Sequence, residues 1–383
     1  IGARGPAPNS APLPIRIKCT MKILLFSNLY RPEPTGVGLY SGELADALAA
    51  SGHEVRVIAA NPSYPEWKLF DGFGKFSWSR RRETDVTVHR CPVFIPAEVT
   101  GMTRILHYGS FAAASLFPAM KLAATFRPDC VILAAPTLLA APVALATAKL
   151  SGAASWLHIQ DFEVEAGFAT GQLAADGTIA KAALGFERTM MRSFDRVSSI
   201  SPEMCAKLVA KGVEEDGVFE LRNWADIQSV IPRDTTPYRD EFAVGDRHVA
   251  LYSGAIGQKQ GLEEIITAAR LLKDRRDIVF VVCGNGPSRR ALEEQAAGLE
   301  NIQFHDLQPK ERLGDLLNLA TVHLLPQKAD AADLLLPSKL TNMLASGRPV
   351  IAGAHPGTGL AREVEGCGAV IEPEKPNIMA ASI

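Results

Sequence analysis

Four glycine-bearing stretches hold the residues of this chain best suited to chemistry on an anion. The first runs Pro32-Glu33-Pro34-Thr35-Gly36-Val37-Gly38. Gly36 and Gly38 allow close backbone approach, and a helix starting there offers unpaired N–H groups to a negative ligand; a tight strand-to-helix turn would use the same residues. The second, Tyr252-Ser253-Gly254-Ala255-Ile256-Gly257-Gln258-Lys259-Gln260-Gly261, places Gly254 at a strand end and Lys259 before an amphipathic run. A diphosphate carries about two negative charges and would be met there by a mobile ammonium and by helix dipoles. A solvated surface lysine is the other reading of Lys259. The third, Val281-Val282-Cys283-Gly284-Asn285-Gly286-Pro287, again sends a strand into a glycine turn. Alone it is weak, but two such loops about 30 residues apart, at the strand ends where α/β sheets bind ligands, point to a nucleotide site. The fourth opens Leu336-Pro337-Ser338-Lys339-Leu340-Thr341-Asn342 and closes Ala345-Ser346-Gly347-Arg348-Pro349-Val350. It reads as a turn, a helix stopping at Gly347 and a buried strand; Ser338 can cap the helix, and Lys339 and Asn342 share one of its faces.

These loops need strands and helices in alternation, and the apolar pattern supplies them. Met21 to Phe26 reads as a strand, Leu39 to Ala50 as a helix and Val55 to Ala60 as the next strand. Short β-branched runs follow at Val86 to His89, Cys130 to Ala134, Ser155 to Ile159, Val197 to Ile200 and Val218 to Leu221. After the polar stretch Ile231 to Arg247 the rhythm restarts at Val249. A helix then spans Leu262 to Lys273, with strands at Ile278 to Cys283, Ile302 to Phe304, Val322 to Leu325 and Pro349 to Ala352. The expected fold is α/β, two doubly wound Rossmann-like domains facing across a cleft. The expected division is a disordered leader over residues 1–20, a first domain over 21–235 and a second over 236–383. Pro376 would open another helix just before the chain stops, which reads as a truncated second domain.

Composition narrows the partners. Lys plus Arg (40) nearly balances Asp plus Glu (42), so no global field favours a nucleic acid. The six cysteines are dispersed, with no C-x-x-C pair, as buried thiols of a reducing compartment are. Cys130 to Leu150 approaches membrane-span length, but Pro136 and Pro142 interrupt it and it reads as a buried strand followed by a helix. With no Asp-x-Asp pair, the usual ligands for a divalent ion on a diphosphate are missing and no metal is expected. Trp67 to Arg82 interleaves aromatics with cations. It suits a lipid interface with anionic headgroups, or equally a buried aromatic loop beside a solvated arginine run.

Gly36-Val37-Gly38, Tyr252-Ser253-Gly254, Gly284-Asn285-Gly286-Pro287 and Pro337-Ser338-Lys339 with Ala345-Ser346-Gly347-Arg348-Pro349-Val350, in that order, resemble a family 4 retaining glycosyltransferase of the GT-B fold. The resemblance runs from Met21 to the end. Tyr64-Pro65-Glu66-Trp67-Lys68 and Gln160-Asp161 bring it nearest the branch of colanic-acid fucosyltransferases and O-antigen fucosamine transferases. It implies a nucleotide-sugar co-substrate with no other cofactor, a GDP-fucose-type or UDP-sugar donor, a polyprenyl-diphosphate-linked saccharide acceptor, and a cytoplasmic place at the inner face of the membrane. In that scheme Lys259 and Lys339 stabilise the departing diphosphate and Asp161 faces the acceptor beside His158. Gly36 and Gly38 approach sugar and phosphate, while Gly254, Gly284, Gly286, Pro337, Ser338 and Asn342 hold the donor.

The chain departs from the family in two places. The two glutamates usual before the Ala-Ser-Gly-Arg-Pro-Val element are Leu334 and Asn342, and the usual Arg and Lys of the second loop are Ala255 and Gln260. A nucleotide-binding scaffold without activity and a sugar-nucleotide 2-epimerase are therefore alternative readings. A nicotinamide oxidoreductase is disfavoured because the first strand is not followed by G-x-G-x-x-G.

Overall fold

The computed structural model describes residues 20–33, 36–162, 178–225, 227, 229–257, 260–329, 337 and 339–383. They form two compact units, Ile1–Val197 and Ser198–Ile383.

The first half runs β1 (Lys22–Ser27), α1 (Gly36–Ala50), β2 (Glu54–Ala60), β3 (Ser79–Glu83), β4 (Val86–Cys91), α2 (Gly101–Thr125), β5 (Cys130–Ala135), α3 (Ala141–Ser151), β6 (Ala154–Ile159), α4 (Thr178–Met191), β7 (Arg196–Ser199), α5 (Pro202–Ala210) and β8 (Val218–Glu220). These strands make a sheet of order β3-β4-β2-β1-β5-β6-β7-β8, and the boundary between the units falls inside β7. Strands β2, β1, β5 and β6 pair in parallel, as βαβ crossovers require. Leu24, Leu25 and Phe26 are fully buried because helices cover both sheet faces. Cys130 to Leu150 is strand β5 followed by helix α3, which ends on Gly152 in the left-handed conformation.

The stretch Trp67 to Arg82 divides in two. Trp67 packs edge-on against His107 with ring centroids 5.1 Å apart, while Phe76 and Trp78 are exposed. Its arginines belong to an edge strand, β3, antiparallel to β4. No apolar alternation marks that strand in Ser-Arg-Arg-Arg-Glu; sheet pairing makes it, and its charges suit an edge.

The second half runs α6 (Tyr238–Glu241), β9 (His248–Ser253), α7 (Glu263–Leu271), β10 (Ile278–Cys283), α8 (Arg289–Gln295), β11 (Ile302–His305), α9 (Leu313–Asn318), β12 (Val322–Leu325), α10 (Lys339–Ala345), β13 (Val350–Gly353), α11 (Gly359–Val364), β14 (Gly368–Ile371) and α12 (Pro376–Ser382). The sheet order is β11-β10-β9-β12-β13-β14. Order reverses between β9 and β12, so the carboxyl ends of those two strands flank the crevice where a doubly wound sheet takes its ligand. Strand β10 is buried at all six positions, and its Phe280 packs with Ile265, Ile266 and Leu292. Phe280→Ala should therefore destabilise the chain by about 3–5 kcal/mol. Urea melts of the two proteins check this, and a change below about 1 kcal/mol would contradict the packing.

Candidate donor site

The carboxyl edge of the second sheet is built from two loops whose backbones touch. Gly254 N–H donates to the Cys283 carbonyl (2.9 Å), Ile256 N–H to the Asn285 carbonyl (3.0 Å) and Ser288 N–H to the Ile256 carbonyl (3.2 Å). A Cβ on Gly284 would stand 1.9 Å from the Gly254 carbonyl oxygen, and one on Gly286 2.1 Å from that of Ile256. Both obstacles are backbone, so only glycine fits. Gly254 itself has φ +138°, with Lys339 Nζ 3.2 Å from the position of a Cβ.

Lys339 opens α10 and reaches back over this loop. Its ammonium donates to the Tyr252 hydroxyl (2.7 Å) and lies 4.3 Å from the centre of that ring, and the hydroxyl in turn donates to the Ala255 carbonyl (2.6 Å). Among the described residues no carboxylate pairs with it, and burial pulls its pKa down to about 8. At neutral pH it is a half-buried cation with no counter-charge among the described residues. A phosphate oxygen about 4 Å away would be attracted by about 4 kcal/mol at an effective dielectric near 20. The arrangement therefore suits a di-anion better than it suits the empty site.

The structure brings Gly254, Gly284, Gly286 and Lys339 to one edge of one sheet. Pro337 accepts from Leu340 N–H (3.0 Å) in the turn that starts α10. Asn342 lies on the same helix, half-buried. Lys259, Ser338 and Leu334 lie outside the described residues. In place of the usual lysine, Gln260 closes its loop on itself, its Oε1 accepting from Gly257 N–H (3.1 Å).

Two contributors have roles that the sequence does not show. Tyr252 stands in the Tyr252-Ser253-Gly254 motif with no expected contact of its own, yet its hydroxyl seats the lysine. Arg289, in the first turn of α8, donates to the Gly284 carbonyl (3.1 Å) and Asn285 Oδ1 (2.7 Å) and pairs with Asp306, so it clasps the second glycine loop. Its position three residues after Gly286 is the one signal that could have flagged it.

At the first sheet, order reverses between β1 and β5; Gly36 and Gly38 lie in the first turn of α1, the helix that follows β1, and Asp161 lies just past the carboxyl end of β6. Space at Gly38 is tight, since a Cβ there would come 3.1 Å from Glu33 Cβ and 3.4 Å from Tyr30 N. Glu33 is buried and accepts the N–H groups of Tyr30, Ser63 and Tyr64, each at 2.9 Å, tying this turn to the loop after β2. Burial nonetheless holds its carboxyl above the usual range. Just past β1, Asn28 Nδ2 lies 3.0 Å from His107 Nε2, whose Nδ1 lies 2.6 Å from the Phe94 carbonyl. The carbonyl can only accept, which puts the proton on Nδ1 and leaves Nε2 to accept from Asn28. Asn28 Oδ1 is buried without a partner among the described residues, an acceptor left over at the reversal point. His158 is buried in β6 and desolvation lowers its pKa to about 4, so it is a neutral side chain at physiological pH. Asp161 follows two residues past that strand, half-buried.

Two Rossmann-like halves with a phosphate-suited edge define a GT-B architecture, and comparison with known proteins supports it. Residues 35–224 match the family model described as glycosyl transferase 4-like domain, and residues 234–383 match that of glycosyl transferases group 1. A protein of Escherichia coli (strain K12), "Putative colanic acid biosynthesis glycosyl transferase WcaI", is 41% identical over 374 residues, 95% of this chain and 91% of that protein. Among solved structures, sucrose-phosphate synthase from Thermosynechococcus elongatus superposes with a TM-score of 0.69 at 18% identity, covering 94% of this chain and 88% of that one. Anabaena Alr3699/HepE in complex with UDP-glucose gives 0.63 at 16%, with the same coverage of 94% and 88%. The chain belongs to the family 4 glycosyltransferases of the GT-B fold.

The state of Lys339 makes a pH prediction. Its pKa is about 8 in the fold against 10.5 unfolded, so between those values the unfolded chain binds more protons and stability rises with pH through this group. Below about pH 8 both states carry the proton and the contribution is flat. The stability difference between the native chain and Lys339→Met should therefore change between about pH 8 and 10.5, in the direction that favours the native chain as pH rises. Unfolding curves that stay parallel across that range would show that the ammonium is not desolvated.

Proposed function

We propose that the second half binds a nucleoside diphosphate sugar and that the enzyme passes the sugar, with retention at the anomeric carbon, to a lipid-linked saccharide during exopolysaccharide or O-antigen assembly. The observation that carries this reading is the half-buried Lys339 ammonium, with no counter-charge among the described residues, over the interlocked loops of Gly254 and Gly284. A ligand there meets close backbone at two glycines and one desolvated cation, which is what a diphosphate leaving group needs as charge builds on it. The UDP-glucose complex of the structural neighbour and the colanic acid glycosyl transferase of E. coli support the donor class and the pathway class.

In this scheme Lys339 and Lys259 share the leaving diphosphate, Ser338 and Pro337 shape the turn beside it, and Asn342 hydrogen-bonds the nucleoside ribose. Gly286 and Gly284 hold the nucleoside, and Arg289 keeps their loop in place. The first half takes the acceptor, with Gly36 and Gly38 near the sugar and phosphate and Asp161 toward the acceptor. His158, neutral and buried, fits a packing role better than a base. A lipid-linked acceptor places the enzyme peripherally at the inner face of the cytoplasmic membrane, with Phe76 and Trp78 of the Trp67 to Arg82 segment as contacts. Among the described residues no helix is long and apolar enough to cross a membrane. Asn342 in place of a glutamate favours one second reading, a binding scaffold without transfer.

Thermal melts against GDP, UDP, ADP, CMP and NAD test the donor site. One nucleoside diphosphate should stabilise the chain, by about 2.7 kcal/mol at 100 times its dissociation constant, and Lys339→Met should abolish most of that rise. A flat panel for the native chain would reject the site. Binding without sugar release from the matching donor and a lipid-linked acceptor would leave the scaffold.

A further inference from the structure

Helix α2 is apolar on both sides. Tyr108, Phe111, Ala119 and Leu122 are buried within the first unit. On the other side Met102, Ile105 and Leu106 near the start and Leu116 and Phe117 two to three turns further on share one face and are exposed, Phe117 at 70%. A surface helix ordinarily turns polar residues outward, so a second apolar stripe marks a face that meets something other than water. Because the helix is not apolar enough to span, contact with a bilayer would run along the interface plane.

At the carboxyl end of that stripe, a cavity of 350 Å³ lies between α2 and strands β2, β3 and β4, lined among others by Arg56, Trp78, Arg80, His89, Phe117 and Lys121. No carboxylate lines it. Sheet register explains the convergence: Arg56 pairs with Thr87, Ile58 with His89, and Arg80 with His89, which sets Arg56, Arg80 and His89 on one face. α2 adds Lys121, and Trp78 Nε1 donates to the Ala114 carbonyl (3.0 Å), clamping β3 to the helix. Arg56 Nε and His89 Nε2 are buried without a hydrogen-bond partner among the described residues. Arg56 is also paired with Glu54 at 3.0 Å, but neither Arg80 nor Lys121 pairs with a carboxylate among the described residues. Burial and then the field of Arg80, Arg56 and Lys121 lower the His89 pKa to about 4. The imidazole is uncharged at neutral pH, and that same positive field acts on whatever enters the cavity.

This is not the site at the carboxyl strand ends. Arg56 lies over the Phe126 ring (4.2 Å), as does Lys22 at the start of β1 (5.9 Å), so Arg56 stands toward the amino end of β2, while His89 and Arg80 lie mid-strand on the sheet face under α2 rather than in the loops past the strand ends. The rim is aromatic, with Trp78 53% and Phe117 70% exposed. Cations within, unpaired donors and an aromatic edge continuous with an apolar stripe match a phosphate attached to hydrocarbon better than a free anion.

We propose that this cavity takes the phosphate headgroup of an anionic phospholipid while the outward face of α2 lies in the same leaflet. The inference extends the lipid-linked acceptor reading above, and its test uses vesicles free of donor and acceptor, so that either can fail without the other.

Co-sedimentation of the full chain with phosphatidylglycerol vesicles and with phosphatidylcholine vesicles, at about 0.1 M salt, measures the effect. The chain should bind the anionic vesicles at least about tenfold more tightly. A cation near such a surface contributes about fivefold, so Arg80→Glu with Lys121→Glu should lose at least about twentyfold. Arg80→Gln with Lys121→Gln should lose less, and Leu116→Ser with Phe117→Ser should weaken binding to both vesicle types. Thermal melts verify folding, and each variant should keep the nucleotide response. Arg290→Glu, whose side chain is 91% exposed on α8, serves as the charge control. Equal binding to both vesicle types, no binding, or an equal loss from Arg290→Glu would overturn the proposal. So would inorganic phosphate quenching Trp78 fluorescence in a chain that ignores vesicles, which would make the site one for a free anion. A dimer that Leu116→Ser with Phe117→Ser converts to monomer, without change in vesicle binding, would show that a second copy covers α2.

Discussion

Two backbones in contact set the terms for the second half of this protein. The carbonyls of Gly254 and Ile256 occupy the space that side chains at positions 284 and 286 would need. That approach lets the strands β9 and β10 end side by side in hydrogen-bonded loops rather than in loops that splay apart. It also leaves a shallow floor of backbone, over which one long side chain can lie. Lys339 takes that place, seated on the Tyr252 hydroxyl and ring. A bulkier loop would lift the ammonium toward water, where it would be one more solvated surface charge. The glycines matter here less for flexibility than for the absence of a Cβ.

The first half solves the same strand-to-helix problem by different means. Gly38 again sits where a Cβ has little room, but the neighbour is Glu33, whose carboxylate gathers three backbone N–H groups from two loops. A buried carboxylate is costly, and those hydrogen bonds offset part of the cost while fixing both loops around β1 and β2. The result is a rigid turn at the reversal point of the sheet, next to the leftover acceptor on Asn28. Positioning in this half thus rests on one buried acid, and in the other half on interlocked glycines and a half-buried base.

Charge is used in a similar economy elsewhere. Arginines of the edge strand β3 read in the sequence as a solvated run, but pairing with β4 turns alternate ones to opposite faces. Arg81 lies against Phe73, with the guanidinium 4.2 Å from the ring centre, whereas Arg80 joins Arg56 and His89. One segment thereby contributes both to packing and to a basic cavity. Strand periodicity decides which residue does which, and periodicity is invisible until the strand has a partner.

The sequence by itself determined the class of fold and the placing of glycine loops at the carboxyl edge of the second sheet. Apolar runs such as Ile278 to Cys283 are buried at every position and bounded by glycine turns, so local pattern and tertiary role coincide. Gly254, Gly284, Gly286 and Lys339 were legible for the same reason: a glycine at a strand end and a lysine at a helix start announce their geometry locally. Tyr252, Arg289, Glu33 and the basic face shared by Arg56, Arg80 and His89 were not legible. Each acts through partners tens of residues away along the chain, or across a strand pair whose register no local pattern specifies. Lys339 shows both sides of this division, since its place at the head of α10 is written in the sequence, while its seat on the Tyr252 hydroxyl, close over Gly254, comes only from the fold.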